Sequence, residues 1–223
     1  ISKTKTINDD IIRPLNNPIY EEGSLAVLKG NLAPDGCVIK PAACDKKFFK
    51  HKGPAIVFNS YPEMKAVIDR EDFDVTEDHV LVLRNVGPVG GPGMPEWGMM
   101  PIPQKLLKKG VRDMVRISDA RMSGTSYGAC ILHVAPESYI GGPLSLLETG
   151  DIIELDVNLR SINMLIDEKT LSLRKKESKT LEPKAGRGWL WMYSNHVTQA
   201  NNGCDFDFLE TNFGTSAKEP DIF

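Results

Sequence analysis

A serine in a loop of small and hydroxyl residues is the feature of this sequence best suited to chemistry. An apolar segment ends at residues 117–126 in side chains that helices and strand interiors seldom favour, among them Ser123 and Thr125. Gly124 permits a positive φ or the close approach of a ligand to the backbone, which a site presenting a serine oxygen to a substrate needs. The same residues also suit an ordinary Ser/Gly turn, so both interpretations stand at this point.

A second loop, residues 85–98, follows the apolar run 79–83 and holds a single carboxylate, Glu96. Its many Gly and Pro residues exclude a helix or a strand ladder. Because it lacks the Gly-Lys-Ser/Thr ending of a phosphate loop and the third glycine of a dinucleotide fingerprint, nucleotide binding is unsupported. Among apolar neighbours an ionised Glu96 needs a cation or hydrogen-bond donors, and Mg²⁺ would serve. Alternatively, Glu96 is a solvated residue at the tip of the loop.

Short apolar segments must position these two loops. The predicted strands are 25–28, 37–39, 55–58, 79–83, 115–117, 152–157 and 161–166. The predicted helices are 61–69, 101–109, 167–174 and a helical part of 190–209. Ser60 and Asp167 are expected to cap the first and third helices, and the apolar run 129–134 is interpreted as a packed helix. Many short strands with few helices indicate a β-rich α/β barrel or sandwich rather than a doubly wound sheet.

Composition bounds the classes of function. The chain has 223 residues, 41% hydrophobic and 26% charged, which suits one sizeable core. A formal net charge of -3 provides no basic field for nucleic acid. No apolar stretch approaches the ~20 residues of a bilayer crossing, so we expect no membrane contact and a cytoplasmic protein. The four cysteines lack metal-site spacing and are expected to be buried, reduced thiols: Cys37, Cys44, Cys130 and Cys204.

Several longer motifs occur together in the chain. They are Gly93-Met94-Pro95-Glu96, Ser118-Asp119-Ala120-Arg121-Met122-Ser123-Gly124-Thr125, His133-Val134-Ala135-Pro136-Glu137, Gly141-Gly142-Pro143-Leu144 and Thr149-Gly150-Asp151. Their order and spacing resemble the carboxy-terminal domain of the dihydroxy-acid/phosphogluconate dehydratase family, over about residues 12–209. The residues at 119–125 and 196–209 are more similar to the sugar-acid (aldonate) branch than to the branched-chain biosynthetic branch.

The resemblance implies a hydro-lyase that removes water from a 2,3-dihydroxy (aldonic) acid and yields a 2-keto-3-deoxy acid after tautomerisation. Family members use an iron–sulfur cluster as Lewis acid on the departing C3 hydroxyl and Mg²⁺ to hold the substrate carboxylate and C2 oxygen. Matching positions make Ser123 the alkoxide base at C2, Glu96 a Mg²⁺ ligand and Thr125 a substrate-binding residue. His196 is a further candidate for substrate binding, with a packed or solvated histidine as the alternative.

The resemblance also implies a swivelling β/β/α barrel-like domain with peripheral helices over residues 21–210. Residues 1–20 are predicted to be an extended linker from a missing amino-terminal domain, and residues 211–223 a tail. The ligands of the cluster, 2Fe-2S or 4Fe-4S, and the remaining Mg²⁺ ligands belong to that missing domain, so we expect this chain alone to be inactive. The complete enzyme is expected to be a homo-oligomer.

Two other functions stay open on the sequence. One is a dihydroxy-acid dehydratase of branched-chain amino-acid synthesis, which shares the chemistry and differs in substrate. The other is a noncatalytic ligand-binding or assembly module that keeps the loop residues without using them.

Overall fold

The computed structural model describes residues 6–19, 21–178, 181–182 and 185–209. Its strands are β1 (Ala26–Gly30), β2 (Ala33–Ile39), β3 (Lys50–Phe58), β4 (Val80–Leu83), β5 (Arg116–Ser118), β6 (Cys130–Ala135), β7 (Ile152–Asp156) and β8 (Ser161–Met164). Its α-helices are α1 (Tyr61–Val67), α2 (Gln104–Lys108), α3 (Glu168–Glu177) and α4 (Gly188–His196).

The strands form a closed barrel in the order β1-β2-β6-β5-β4-β3-β7-β8, and β8 returns to β1. The four strands β3 to β6 are consecutive parallel neighbours, with Leu81 opposite Arg116 and Ile117 opposite Ile131. The other neighbours are antiparallel except the closing pair of β8 and β1. This architecture confirms the predicted β-rich, barrel-like α/β class.

The centre of the core lies along the parallel strands. All four residues of β4 are buried, as are all three of β5. Strands covered on both faces read as continuous apolar runs, which is why the segment 79–83 carries no alternation of polar and apolar residues. The antiparallel strand β7 does alternate, with Ile153 and Leu155 buried between more exposed neighbours.

The predicted helix caps are confirmed at two places. The hydroxyl of Ser60 accepts a hydrogen bond from the amide of Glu63 at the start of α1, and the carboxylate of Asp167 accepts from the amide of Thr170 at the start of α3. The helix α2 is shorter than the predicted span 101–109, because two prolines precede Gln104 and Pro103 itself is the N-cap residue.

The interpretation of residues 129–134 as a packed helix is wrong. Residues 130–134 lie in strand β6, which is parallel to β5 and antiparallel to β2. A short apolar run buried on both faces has no helical or strand period, so periodicity alone does not separate the two structures.

Residues 6–19 form exposed turns without helix or strand and lie before β1. Residues 1–5 and 20 of the predicted linker 1–20, and the whole predicted tail 211–223, lie outside the described residues, so the predicted domain limits stay predictions. Within the described ranges, no helix is both long enough and apolar enough to cross a membrane.

Candidate active site

The two loops that carry Glu96 and Ser123 leave the same edge of the barrel. Since β3 to β6 are parallel, their carboxyl ends lie together, and ligands of parallel sheets and barrels bind at that edge. Glu96 lies in residues 84–103, which follow β4, and Ser123 lies in residues 119–129, which follow β5. Because β4 and β5 are neighbouring strands, the loops emerge side by side.

An arginine joins the two loops. Nη1 of Arg121 donates to Oε1 of Glu96 at 2.9 Å, and Nε of the same side chain donates to the carbonyl oxygen of Met94 at 2.6 Å. The Glu96 side chain is 47% exposed, so its carboxylate remains open to solvent beside this ion pair. The predicted metal ligand, Glu96, is therefore bound by an arginine that precedes the predicted base, Ser123, by two positions in the sequence.

The loops also approach each other through their backbones. The amide of Gly98 donates to the carbonyl oxygen of Arg121 at 2.8 Å. A Cβ atom at position 98 would lie 2.7 Å from that oxygen and 2.4 Å from Cδ2 of Leu132. Only glycine allows this separation, so the residue fixes the register of one loop on the other.

Ser123 opens a tight turn. The amide of Ser126 donates to the carbonyl oxygen of Ser123 at 3.1 Å, and the hydroxyls of Ser123 and Thr125 are 3.0 Å apart. The ammonium of Lys40 donates to the carbonyl oxygens of Gly124 and Ser126. Ser123 is half-buried and Thr125 is exposed. The hydroxyls of Ser123 and Thr125 thus lie within hydrogen-bond distance of each other. Lys40, directly after β2, binds the backbone of their turn.

A buried ion pair anchors the far ends of both loops. Arg116 on β5 is 1% exposed; its Nη2 donates to Oδ1 of Asp113 at 3.1 Å, and its Nη1 donates to the carbonyl oxygen of Met100 at 2.9 Å. The Asp113 carboxylate accepts from the amide of Ala129. Met100 lies near the end of the Glu96 loop and Ala129 ends the Ser123 loop, so one network holds both.

A second buried carboxylate, Asp119, fixes the start of the two loops. It accepts from the amides of Asn85 at 3.2 Å, Val86 at 3.1 Å and Ser138 at 3.0 Å, and from the Ser138 hydroxyl. Burial raises the pKa of the Asp119 carboxyl, and these donors act in the opposite direction. Its bonds make it a structural anchor at the carboxyl ends of β4, β5 and β6.

The glycine-rich part of the Glu96 loop wraps around Glu137, which follows β6. The fully buried carboxylate accepts from the amides of Val89 and Gly90 and from the side chain of Gln199. Burial raises the pKa of Glu137, and these hydrogen bonds oppose it. Sequence reasoning assigned no role to Glu137 or Asp119, although an acidic residue directly after a buried strand was the available signal.

His196 lies at the end of α4 and its contacts are local. Its Nδ1 is 2.9 Å from Oδ1 of Asp207, and its ring meets Trp191 and Phe208 edge-on. In the described part of the chain, no direct contact joins it to Ser123 or Glu96. One turn earlier, Tyr193 lies against the backbone of Gly93, and burial raises the pKa of its hydroxyl. The helix of His196 therefore packs beside the Glu96 loop.

The residues present fit one of the two groups that the family resemblance implies. Mg²⁺ takes oxygen ligands and keeps several waters, so the solvent-accessible carboxylate of Glu96 suits one ligand position. A complete site is not found: among the described residues, no three His, Cys, Asp or Glu side chains cluster in a way that could hold a metal ion.

An iron–sulfur cluster does not fit the cysteines of this chain. Cys37, Cys44 and Cys130 are buried, and burial raises their pKa values to about 12, 12 and 11. A thiol ligand must ionise to bind a cluster, and these environments oppose ionisation. Cys204 is partly exposed but lies in no cluster of possible ligands within the described ranges.

Comparison with known proteins identifies the family. The family profile described as dihydroxy-acid/6-phosphogluconate dehydratase C-terminal matches residues 10–204. The chain belongs to this family and carries its C-terminal domain, in agreement with the predicted resemblance.

Relatives of this chain fall in both branches of the family. The chain is 52% identical over 96% of its length to a 6-deoxy-6-sulfo-D-gluconate dehydratase of Pseudomonas putida, and 45% identical over 94% to an L-arabonate dehydratase of Azospirillum brasilense. It is 42% identical over 91% to a dihydroxy-acid dehydratase of Methanococcus aeolicus. The higher identities to sugar-acid dehydratases agree with the predicted branch. The chain spans 36–37% of the length of these relatives.

Proposed function

We propose that this chain is the carboxy-terminal part of a hydro-lyase that dehydrates a sugar acid (aldonate) to a 2-keto-3-deoxy acid. The observation that supports the proposal is the Arg121 bridge, through which the loop that carries Ser123 binds the carboxylate of Glu96. A carboxylate for a metal and a hydroxyl for a proton are the two groups that such a reaction needs from this domain. The similarity to two sugar-acid dehydratases supports an aldonate as substrate.

In this proposal Ser123 removes the C2 proton of the substrate. A serine hydroxyl is a weak base at neutral pH and acts only where positive charge stabilises its alkoxide. The Lys40 ammonium, bound to the carbonyl groups of the Ser123 turn, supplies one such charge. The Ser123 alkoxide takes the C2 proton, the electrons of that C–H bond form the C2–C3 double bond, and the C3–O bond breaks. The proton held by Ser123 passes to the departing oxygen, which leaves as water and regenerates the alkoxide, and the resulting enol tautomerises to the 2-keto acid.

Thr125 and His196 are proposed to bind the substrate. The Thr125 hydroxyl, 3.0 Å from that of Ser123, can exchange this partner for a substrate oxygen. The role of His196 is supported by its helix α4, which lies against the Glu96 loop at Tyr193 and Gly93. Glu96 would hold Mg²⁺, which when bound supplies the charge that stabilises the substrate carboxylate and the C2 oxygen.

The cluster, the other Mg²⁺ ligands and the rest of the cleft are proposed to come from an amino-terminal domain of the complete protein. An apolar surface near the site offers a place for that domain: Trp189 is 80% exposed, and Trp191, Phe208 and Leu209 are also exposed. Apolar patches of this kind mark protein–protein contacts. We further propose that the complete enzyme is a cytoplasmic homo-oligomer.

Co-expression of this chain with the amino-terminal domain of its complete protein tests the proposal. Turnover of an aldonate should appear with both parts and be absent with this chain alone, even with iron, sulfide and Mg²⁺ added. The activity should be lost in Ser123→Ala. Turnover by this chain alone would contradict the proposed division of the site.

The same experiment separates the two alternatives. Faster turnover of dihydroxyisovalerate than of any aldonate would identify the branched-chain enzyme. A stable complex without Ser123-dependent turnover would identify a noncatalytic module.

A further inference from the structure

The guanidinium of Arg121 lies where the elements of the candidate site meet. Its side chain bonds the carbonyl oxygen of Met94 and the carboxylate of Glu96, and its backbone oxygen accepts from Gly98. Its charge acts on two further groups. With burial as the larger cause, it lowers the pKa of His133 on β6, and it opposes the raised pKa of Tyr193 on α4.

The two side-chain bonds of Arg121 fix the direction of the Glu96 carboxylate. A planar guanidinium holds its donors in a rigid fork, so bonding Met94 through Nε determines where Nη1 meets Glu96. Only Oε1 of Glu96 is engaged. Among the described residues, Oε2 has no hydrogen-bond partner and belongs to a side chain that is 47% exposed.

A half-exposed glutamate would otherwise sample many rotamers, and ordering it on ligand binding costs conformational entropy. Groups that orient a metal ligand from behind remove much of this cost, and losing one typically weakens metal affinity about 10- to 100-fold. The positive charge of Arg121 acts in the opposite direction, since it repels a cation. For a variant without the guanidinium, loss of positioning predicts weaker metal binding, whereas loss of charge repulsion predicts tighter metal binding.

We propose that Arg121 is a positioning residue that presents Oε2 of Glu96 to the divalent cation and keeps that carboxylate in register with the Ser123 turn. The two side-chain bonds to the Glu96 loop, one to a backbone carbonyl and one to the carboxylate, favour this role over simple charge neutralisation, because neutralisation alone needs no contact with Met94. The inference rests on the proposed function, in which Glu96 is the metal ligand of this domain.

The test measures Mn²⁺ binding to the Arg121→Gln and Arg121→Lys variants of the complete enzyme. Electron paramagnetic resonance reports the concentration of the free ion. Both variants should bind Mn²⁺ about 10- to 100-fold more weakly, since lysine keeps the charge but lacks the fork. Raising Mg²⁺ should restore much of the turnover of each variant. Arg112→Gln is the matched control, because Arg112 also bonds backbone carbonyls but of a different segment, and it should bind as the unchanged enzyme does.

Unchanged or tighter Mn²⁺ binding in the Arg121 variants would overturn the inference. Tighter binding would mean that Arg121 competes with the cation for Glu96, and unchanged binding would mean that it has no effect on the metal. If Arg121→Gln does not fold, Arg121→Lys decides alone. Glu96→Gln distinguishes the two levels of the proposal. If it leaves Mn²⁺ binding intact, Glu96 is not a ligand and the proposed function loses its metal site; if it abolishes binding while the Arg121 variants do not weaken it, only the role of Arg121 fails.

Discussion

At the scale of single residues, the hydroxyl of Ser123 is the group on which the proposed chemistry depends. Ser123→Ala should lower the turnover number of the complete enzyme about 10²- to 10⁴-fold, the range for loss of a general base, and should leave Mn²⁺ binding unchanged. Ser126→Ala is the matched control in the same turn, because the Ser126 side chain makes no hydrogen bond with the described residues. Steady-state kinetics would show the contrast, and equal losses in both variants would indicate a damaged loop rather than a lost base.

Lys40 should set the pH range in which Ser123 works. Lys40→Met removes the positive charge bound to the Ser123 turn and should destabilise the proposed alkoxide, so the rate should fall about tenfold at neutral pH and the rate–pH profile should move about one unit upward. Lys40→Arg keeps the charge and should retain the profile. A lower rate with an unshifted profile in Lys40→Met would mean that Lys40 only fastens the turn.

At the scale of elements, the Ser123 loop depends on one glycine at its far end. Gly128 has φ +98°, and a Cβ there would lie 2.1 Å from Nη2 of Arg116 and 2.5 Å from Oδ1 of Asp113. Gly128→Ala should therefore break the buried ion pair and lower the free energy of unfolding by more than about 3 kcal/mol. The measurement is urea denaturation of the purified protein.

Gly124 provides the control within the same loop. Nothing lies within 4 Å of a Cβ at this position, so Gly124→Ala should change the free energy of unfolding by less than about 1 kcal/mol. Similar losses at both positions would show that the loop, rather than the buried pair, limits stability.

The sequence indicates candidate residues for the site but not the residues that support their loops. Ser123 and Glu96 stand out because small, hydroxyl and charged residues interrupt apolar strands. Three buried charged residues support the loops by hydrogen bonds to backbone groups distant in the chain: Asp119, Glu137 and Arg116. Such partners come together only on folding, so the sequence does not show them. The strand β6 was misinterpreted for the same reason, because its neighbours β2 and β5 are set by tertiary pairing rather than by local pattern.

At the scale of the whole molecule, the buried thiols should make the free energy of unfolding decrease at alkaline pH. Burial raises the pKa of Cys37 from 9.0 to about 12, so the unfolded chain loses this proton above pH 9 while the folded chain keeps it. The resulting stability is fully present below pH 9 and is lost as the pH rises toward 12. At pH 10, ionisation of this thiol in the unfolded chain should lower the free energy of unfolding by about 1.4 kcal/mol relative to pH 8.

Denaturation of Cys37→Ala at pH 8 and pH 10 checks this value. The loss on going to pH 10 should be smaller than in the unchanged protein by about 1.4 kcal/mol. Val38→Ala, at the next position of β2, removes apolar volume without a thiol and should keep the full pH dependence. An identical pH dependence in Cys37→Ala would place the alkaline loss elsewhere.

The pairing of β8 with β1, with Lys29 opposite Ser161, closes the sheet into a ring. Among the described strands each has a neighbour on both sides, so the barrel offers little unpaired edge for strand addition, the usual route to fibrils. Assembly with any other polypeptide must then proceed through side chains.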